Sequence, residues 1–130
     1  MGHHPVRALL DTSVVVATDV APLEGELAIS AATLSELHLG VLVAADPAVR
    51  AERLRRLSRV QRSFDALPVD EAVAAGYGRL AAAVVAVGRQ PRARTMELLI
   101  AATAHAHARL YTRNAADLRG LHDCVEVVSV

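Results

Sequence analysis

Four carboxylates stand where a folded chain gathers polar groups. Asp11 closes an apolar run, and Glu36 lies about one turn inside an apolar helix. Glu97 opens the most apolar helix, and Asp117 follows a short strand in Thr112-Arg113-Asn114-Ala115-Ala116-Asp117. Each has a plainer use. Asp11 and Asp117 can cap helices, Asp11 with help from Thr12 or Ser13, and Glu97 can complement a helix dipole from the first turn. Glu36 resists that account, because a glutamate beside a core takes a charged or metallic partner. At about 4 Å and an effective dielectric near 20, each like-charged pair costs about 4 kcal/mol. A cluster that stays ionised therefore implies a divalent cation. With no cysteine pair and no histidine in register, ligation falls to oxygen alone, which suits Mg²⁺ or Mn²⁺ and not zinc. Metal-assisted phosphoryl chemistry is the leading reaction class.

The elements that must position these acids read as alternating strands and helices. Val6 to Leu10 is a short apolar run ending at Asp11-Thr12-Ser13, a buried strand feeding a helix. Leu27 to Ser30 repeats the plan and leads into a helix from Ala31 to Ala44, with Leu34, Leu37 and Val41 at helical spacing and Leu39 expected among the buried neighbours of Glu36. Ala48 to Phe64 is amphipathic, its polar face held by Arg50, Arg53, Arg55, Arg56, Arg59 and Arg62. It reads as a solvated surface helix, with a grip on RNA or an acidic partner as the other use of so basic a face. Leu67-Pro68-Val69 is extended. Asp70 caps a helix from Glu71 to Val87, stopped by Gly88 and Pro91, as Asp46 caps the helix before it. A central helix runs from about Arg94 to His107, apolar on every face except at Glu97, Thr103 and His105. Leu110 to Thr112 and Val125 to Val130 read as strands, with a helical turn near Ala116 to Leu121 between them. Strands apolar throughout point to an α/β fold with a parallel sheet covered on both faces. In such a sheet ligands bind beyond the carboxyl ends of the strands, where Asp11 and Asp117 fall.

Composition narrows the class. A chain of 130 residues fits one domain and buries roughly two-thirds of its unfolded surface. Residues 1–130 are expected to form it, the first four, His3 and His4 included, carrying no structural information. With 53% hydrophobic and 22% charged residues, disorder is excluded. No apolar run reaches the roughly 18 residues of a membrane span. The 14 basic residues, all arginine, balance 14 acids, so any affinity for nucleic acid must come from local arginine clusters. Few aromatics (Phe64, Tyr77, Tyr111) argue against a base-stacking platform. Cys124 is the only cysteine, which excludes a disulfide framework and suits a reducing cytoplasm; it reads as a small buried residue at a strand start.

Taken together, Leu9-Leu10-Asp11-Thr12-Ser13, Ile29-Ser30 through Ser35-Glu36-Leu37, Glu97-Leu98-Leu99-Ile100-Ala101-Ala102-Thr103-Ala104 and Tyr111-Thr112-Arg113-Asn114 through Asp117 resemble the PIN-domain ribonucleases, specifically the VapC-type toxins of toxin–antitoxin pairs. The motifs span nearly the whole chain in order. The resemblance implies a PIN-like α/β/α sandwich on a central parallel sheet, homodimerisation, and an acidic pocket that binds Mg²⁺ or Mn²⁺ and cuts RNA. It also implies neutralisation by a VapB-type antitoxin. By position, Asp11 matches the first-strand aspartate, Glu36 the second-helix glutamate and Asp117 the last acid, with Thr112 and Asn114 as the polar residues beside it. Position 97 departs: the family usually has aspartate where this chain has Glu97, and the longer side chain shifts or weakens the metal. Leu118 stands where an aromatic is common, a change of packing. On this reading Asp11, Glu36, Glu97 and Asp117 form the metal and catalytic set, with Thr12, Thr112, Arg113 and Asn114 around them. A cation that lowers the pKa of its own water needs no histidine base. Arg92, Arg94 and Arg113 either hold RNA phosphates or are ordinary solvated arginines.

Other residues drop out. His105 and His107 are two apart on a helix and point to different faces, while His38 and His122 have no partner in sequence, so all read as structural. A dehalogenase-like phosphatase would need a second aspartate where Ser13 stands. The remaining alternative is a non-catalytic PIN-like module that binds RNA or protein after losing metal affinity, with Glu97 as its mark.

Overall fold

The computed structural model describes residues 7–17, 21–118, 120–121 and 124–130. The expectations for His3, His4, Val6 and His122, and for the His107 side chain, lie outside what is described. Five parallel strands form one sheet: β1 (Arg7–Leu10), β2 (Glu26–Ser30), β3 (Asp65–Leu67), β4 (Arg109–Thr112) and β5 (Val127–Ser129). Their order is β3-β2-β1-β4-β5. Helices α1 (Thr12–Val15), α2 (Ala31–Val43), α3 (Pro47–Ser63), α4 (Glu71–Ala86) and α5 (Thr95–His107) make the crossovers, with 3₁₀ turns at Pro91–Arg94 and Ala115–Leu118. The strand order reverses between β1 and β4, so the crevice of the sheet opens at the carboxyl ends of these two strands.

Side chains alternate across the central strands even though nearly all are apolar, because both faces are covered. Leu9 and Leu110 pack with Val73, Leu80, Leu98 and Ile100 under α4 and α5. Ala8, Leu10, Ile29 and Tyr111 pack on the other face with Val14, Leu57 and Val60 of α1 and α3. Helix α2 serves both layers, giving Ala32 to the first and Leu37 and Val41 to the second. Leu9, Ile29, Leu98 and Leu110 are fully buried, and each contributes about 1.5–3 kcal/mol through removal from water. Asp46 and Asp70 cap their helices as expected, accepting from the Ala48 and Val73 amides at 2.8 and 3.0 Å.

Several expectations need correction. Leu39 is not buried: it is 60% exposed, and with Leu42 and Val43 it leaves α2 apolar on its outer side. Burial on this helix follows only the narrow row of Ala32, Thr33, Leu37 and Val41. The third strand forms over Asp65–Leu67, earlier than Leu67-Pro68-Val69, because proline cannot donate to a ladder and the register Ser30↔Leu67 uses the last residue before it. Cys124 is half-buried in a turn ahead of β5 and not at a strand start. His105 is exposed, and its Nδ1 lies 2.5 Å from the Cys124 carbonyl, a tie between α5 and that turn.

Candidate active site

The chain leaves β1 at Leu10 and turns at once into α1, making Asp11 the N-cap residue. Both of its readings meet here. The Asp11 amide donates to the Tyr111 carbonyl at 2.9 Å, extending the β1–β4 ladder by one residue. Asp11 Oδ1 accepts from the Thr12 amide at 2.8 Å, which is the cap. Oδ2 accepts from the hydroxyls of Ser13 at 2.9 Å and Thr112 at 2.8 Å. A carboxylate offers about four acceptor directions, so three donors fix its plane and leave one direction open.

The two hydroxyls are held in turn. Ser13 Oγ accepts from the Arg113 amide at 3.1 Å, and Thr112 Oγ1 from the Asn114 amide at 3.0 Å. Two short polar side chains thereby lock the ends of β1 and β4 around one carboxylate. A second relay runs to α2. Thr12 Oγ1 donates to Glu36 Oε1 at 2.8 Å and lies 3.1 Å from Thr33 Oγ1. Thr12 has one hydroxyl proton and gives it to the carboxylate, so Thr33 is the donor in that pair. Ser30 caps α2 by accepting from the Ala32 amide at 3.0 Å and reaches Thr103 at 3.2 Å, tying α2 to α5 beneath the site.

Asp11, Glu97 and Asp117 line one cavity of about 20 Å³ together with Thr112, Asn114, Leu110 and Leu118. That is room for a single water-sized species and not for a nucleotide. Glu36 is set apart, in an adjoining cleft of about 530 Å³ with Thr12, Leu37, Gly40, Arg53 and Arg56. Glu97 lies in the first turn of α5, with Oε2 3.0 Å from an Arg94 guanidinium nitrogen. Arg94 also donates to the Asp117 main-chain carbonyl, so one side chain links the two acids. Among the described residues, no three histidine, cysteine, aspartate or glutamate side chains converge closely enough to hold a metal ion. Arg92 and Arg113 are exposed.

Ser13 and Thr33 are site residues that the sequence expectations left out. In sequence Ser13 reads as a cap, as the last residue of the first motif and as the position where a phosphatase would need an acid. Thr33 precedes Glu36 by three residues, hence on the same helix face; that spacing was the available signal.

No family model matches the chain. Ribonuclease VapC8 of Mycobacterium tuberculosis strain H37Rv is 41% identical over 100 residues, covering 74% of this chain and 88% of that one. Ribonuclease VapC4 of the same strain is 35% identical over 130 residues, covering 95% and 97%. The crystal structure of VapBC-5, a member of the VapBC family of toxin–antitoxin systems from M. tuberculosis, superposes with a TM-score of 0.80 at 34% identity, over 97% of this chain and 98% of that one. The sheet order and its helical layers are those of a PIN-type α/β/α sandwich. The chain belongs to the VapC ribonuclease family.

Proposed function

We propose that this chain is an endoribonuclease toxin that hydrolyses RNA phosphodiester bonds, with Mg²⁺ or Mn²⁺ held in the cavity of Asp11, Glu97 and Asp117, directly or through water, and with Glu36 acting from the adjoining cleft. The observation that carries the reading is that three carboxylates, from the junction of β1 and α1, from α5 and from the turn after β4, line a single cavity at the crevice of the sheet. The donor set is hard oxygen throughout, which fits these cations. When bound, such a cation lowers the pKa of a coordinated water and neutralises charge on the phosphate oxygens.

The chain's own residues do the remaining work. Ser13, Thr112 and the Thr12 amide orient Asp11 before any ligand arrives, so this carboxylate is preorganised for the reaction step. Thr12 orients Glu36 toward the cleft that Arg53 and Arg56 also line, and this wider cleft is large enough to admit a nucleotide. Arg94 holds the turn carrying Asp117 against the start of α5.

Kinship with VapBC-5 supports a VapB-type antitoxin as partner, and the exposed Leu39, Leu42 and Val43 support a protein partner or a homodimer contact. A cytoplasmic setting suits the lone half-buried Cys124; among the described residues no helix is long and apolar enough to cross a membrane.

One observation favours the second reading, a non-catalytic RNA- or protein-binding module: Glu97 is engaged by Arg94 and no three acids converge. Incubation of purified protein with RNA and Mg²⁺ or Mn²⁺ separates the two. Cleavage lost with a chelator and in Asp11→Asn supports the enzyme, and binding without cleavage under any cation supports the module.

A further inference from the structure

We propose that α3 carries a phosphate track for single-stranded RNA, with Arg56 at the mouth of the active-site cleft and Arg55, Arg59 and Arg62 leading away from it. The track rests on the ribonuclease reading above.

The six arginines of α3 are not equivalent. Arg53 donates to the Gly40 carbonyl at 2.8 Å and Arg50 to the Ala44 carbonyl at 3.0 Å, so both are spent closing the carboxyl end of α2. Arg55, Arg56, Arg59 and Arg62 make no hydrogen bond or ion pair with any described residue. Glu52 is the single acid on the helix. A merely solvated helix of this composition would intersperse charges of both signs along its face; here the unpaired guanidiniums lie together.

They also line clefts that share walls. The cleft of Thr12 and Glu36 is bounded by Arg56, which also bounds a second cleft of about 280 Å³ with Arg55, Arg59 and the single acid Glu52, three guanidiniums to one carboxylate. Arg55 and Arg59 in turn bound a third of about 500 Å³ with Ser58 and Arg62. Arg55, Arg59 and Arg62 repeat at helical spacing on one stripe about 10 Å long, a few nucleotides of strand. Arg56, which lines the Glu36 cleft, joins this stripe to Thr12 and so to the neighbouring Asp11, giving a strand that passes the acids a path along α3. Guanidinium forks suit phosphate oxygens, and no aromatic side chain lines these three clefts to stack a base. The contacts are therefore sequence-blind and set affinity, not base preference.

The test measures affinity for a labelled single-stranded RNA oligonucleotide over a range of salt, in an Asp11→Asn background that leaves the RNA intact. Each phosphate released from a single strand removes about 0.7 from the log–log salt slope. The Arg55→Gln/Arg59→Gln/Arg62→Gln variant should lose about 2 from the slope and bind at least tenfold more weakly at low salt, with its melting temperature kept. Arg59→Gln alone should lose about 0.7, which keeps the test open if the triple variant folds poorly. In the active background the triple variant should raise KM and leave kcat within about threefold. Arg79→Gln, on α4 across the sheet, should change neither quantity. An unchanged slope in a folded triple variant, while the parent still cleaves RNA, overturns the track alone. The same result with lost binding to polyglutamate assigns the stripe to an acidic protein and also overturns it. A parent that neither cleaves nor binds RNA overturns the ribonuclease reading, and the track with it.

Discussion

The Arg94 guanidinium lies 3.0 Å from Glu97 Oε2 and also donates to the main-chain carbonyl of Asp117, so one cation of the protein spans two acids of the candidate site. The pair is separated by one helical turn, and glutamate supplies the reach that an aspartate at this position lacks by one methylene. Substitution at position 97 therefore alters two things together: the ligand and the partner of Arg94.

Glu97→Asp should lower the cation concentration at half-maximal cleavage, because the shorter carboxylate is released from Arg94 and meets the tight octahedron of Mg²⁺ better. Glu97→Gln should raise it sharply. Both should fold normally, since a pair this exposed is worth about 0.2–1 kcal/mol. A cation titration of cleavage in parent and both variants decides the matter; equal half-saturation in all three removes Glu97 from the site.

Asp11→Asn should abolish cleavage while the melting temperature stays close to the parent's, because asparagine caps a helix about as well as aspartate. Asp11→Ala should lose cleavage as completely and in addition about 1 kcal/mol of stability, having left the Thr12 amide and two hydroxyls without their acceptor. Denaturant melts beside a cleavage assay report the two losses separately.

Thr112 is fully buried, donating to Asp11 and accepting from the Asn114 amide. Thr112→Val keeps the shape and deletes both bonds, and should cost about 1–3 kcal/mol and slow cleavage at least tenfold. Thr112→Ser keeps the hydroxyl and should recover most of the rate. If valine and serine cleave alike, the hydroxyl does not position Asp11.

His105→Ala should leave the cleavage rate and its pH profile unchanged. The imidazole is engaged with the Cys124 carbonyl, away from the acids, and its loss should cost about 1 kcal/mol at most. A rate that falls with the melting temperature intact would falsify its structural role.

Asp11 and the crossover pattern could be read from sequence because each depends on local order: an apolar run, then a capping residue, then helical spacing. The parallel sheet followed from strands with no polar alternation. Burial on α2 was not legible in the same way. Leu37 and Leu39 are both leucines in an apolar helix, and only the packing of α3 and the sheet decides that one is covered and the other 60% exposed. The ends of β3 and β5 escaped for a related reason, since a strand stops where its neighbour does. Among the site residues, Ser13 and Thr33 were hidden because their roles are contacts across the chain, Ser13 with the Arg113 amide and Thr33 with Thr12. The link from Arg94 to the Asp117 carbonyl likewise joins residues 23 apart, and no local pattern announces it.

The clamp on Asp11 joins residues 101 positions apart, and that interval is also a delay. At about 5–20 residues per second of synthesis, Thr112 is made roughly 5–20 s after Asp11. Until β4 has left the ribosome β1 lacks one of its two neighbouring strands, and the cavity lacks the turn carrying Asp117. Until then the nascent chain carries Asp11, Glu36 and Glu97 without Asp117, and Asp11 has only its local donors, the Thr12 amide and the Ser13 hydroxyl. Translation itself withholds the assembled site until the last part of the chain is made, an interval in which the cell is spared a working toxin.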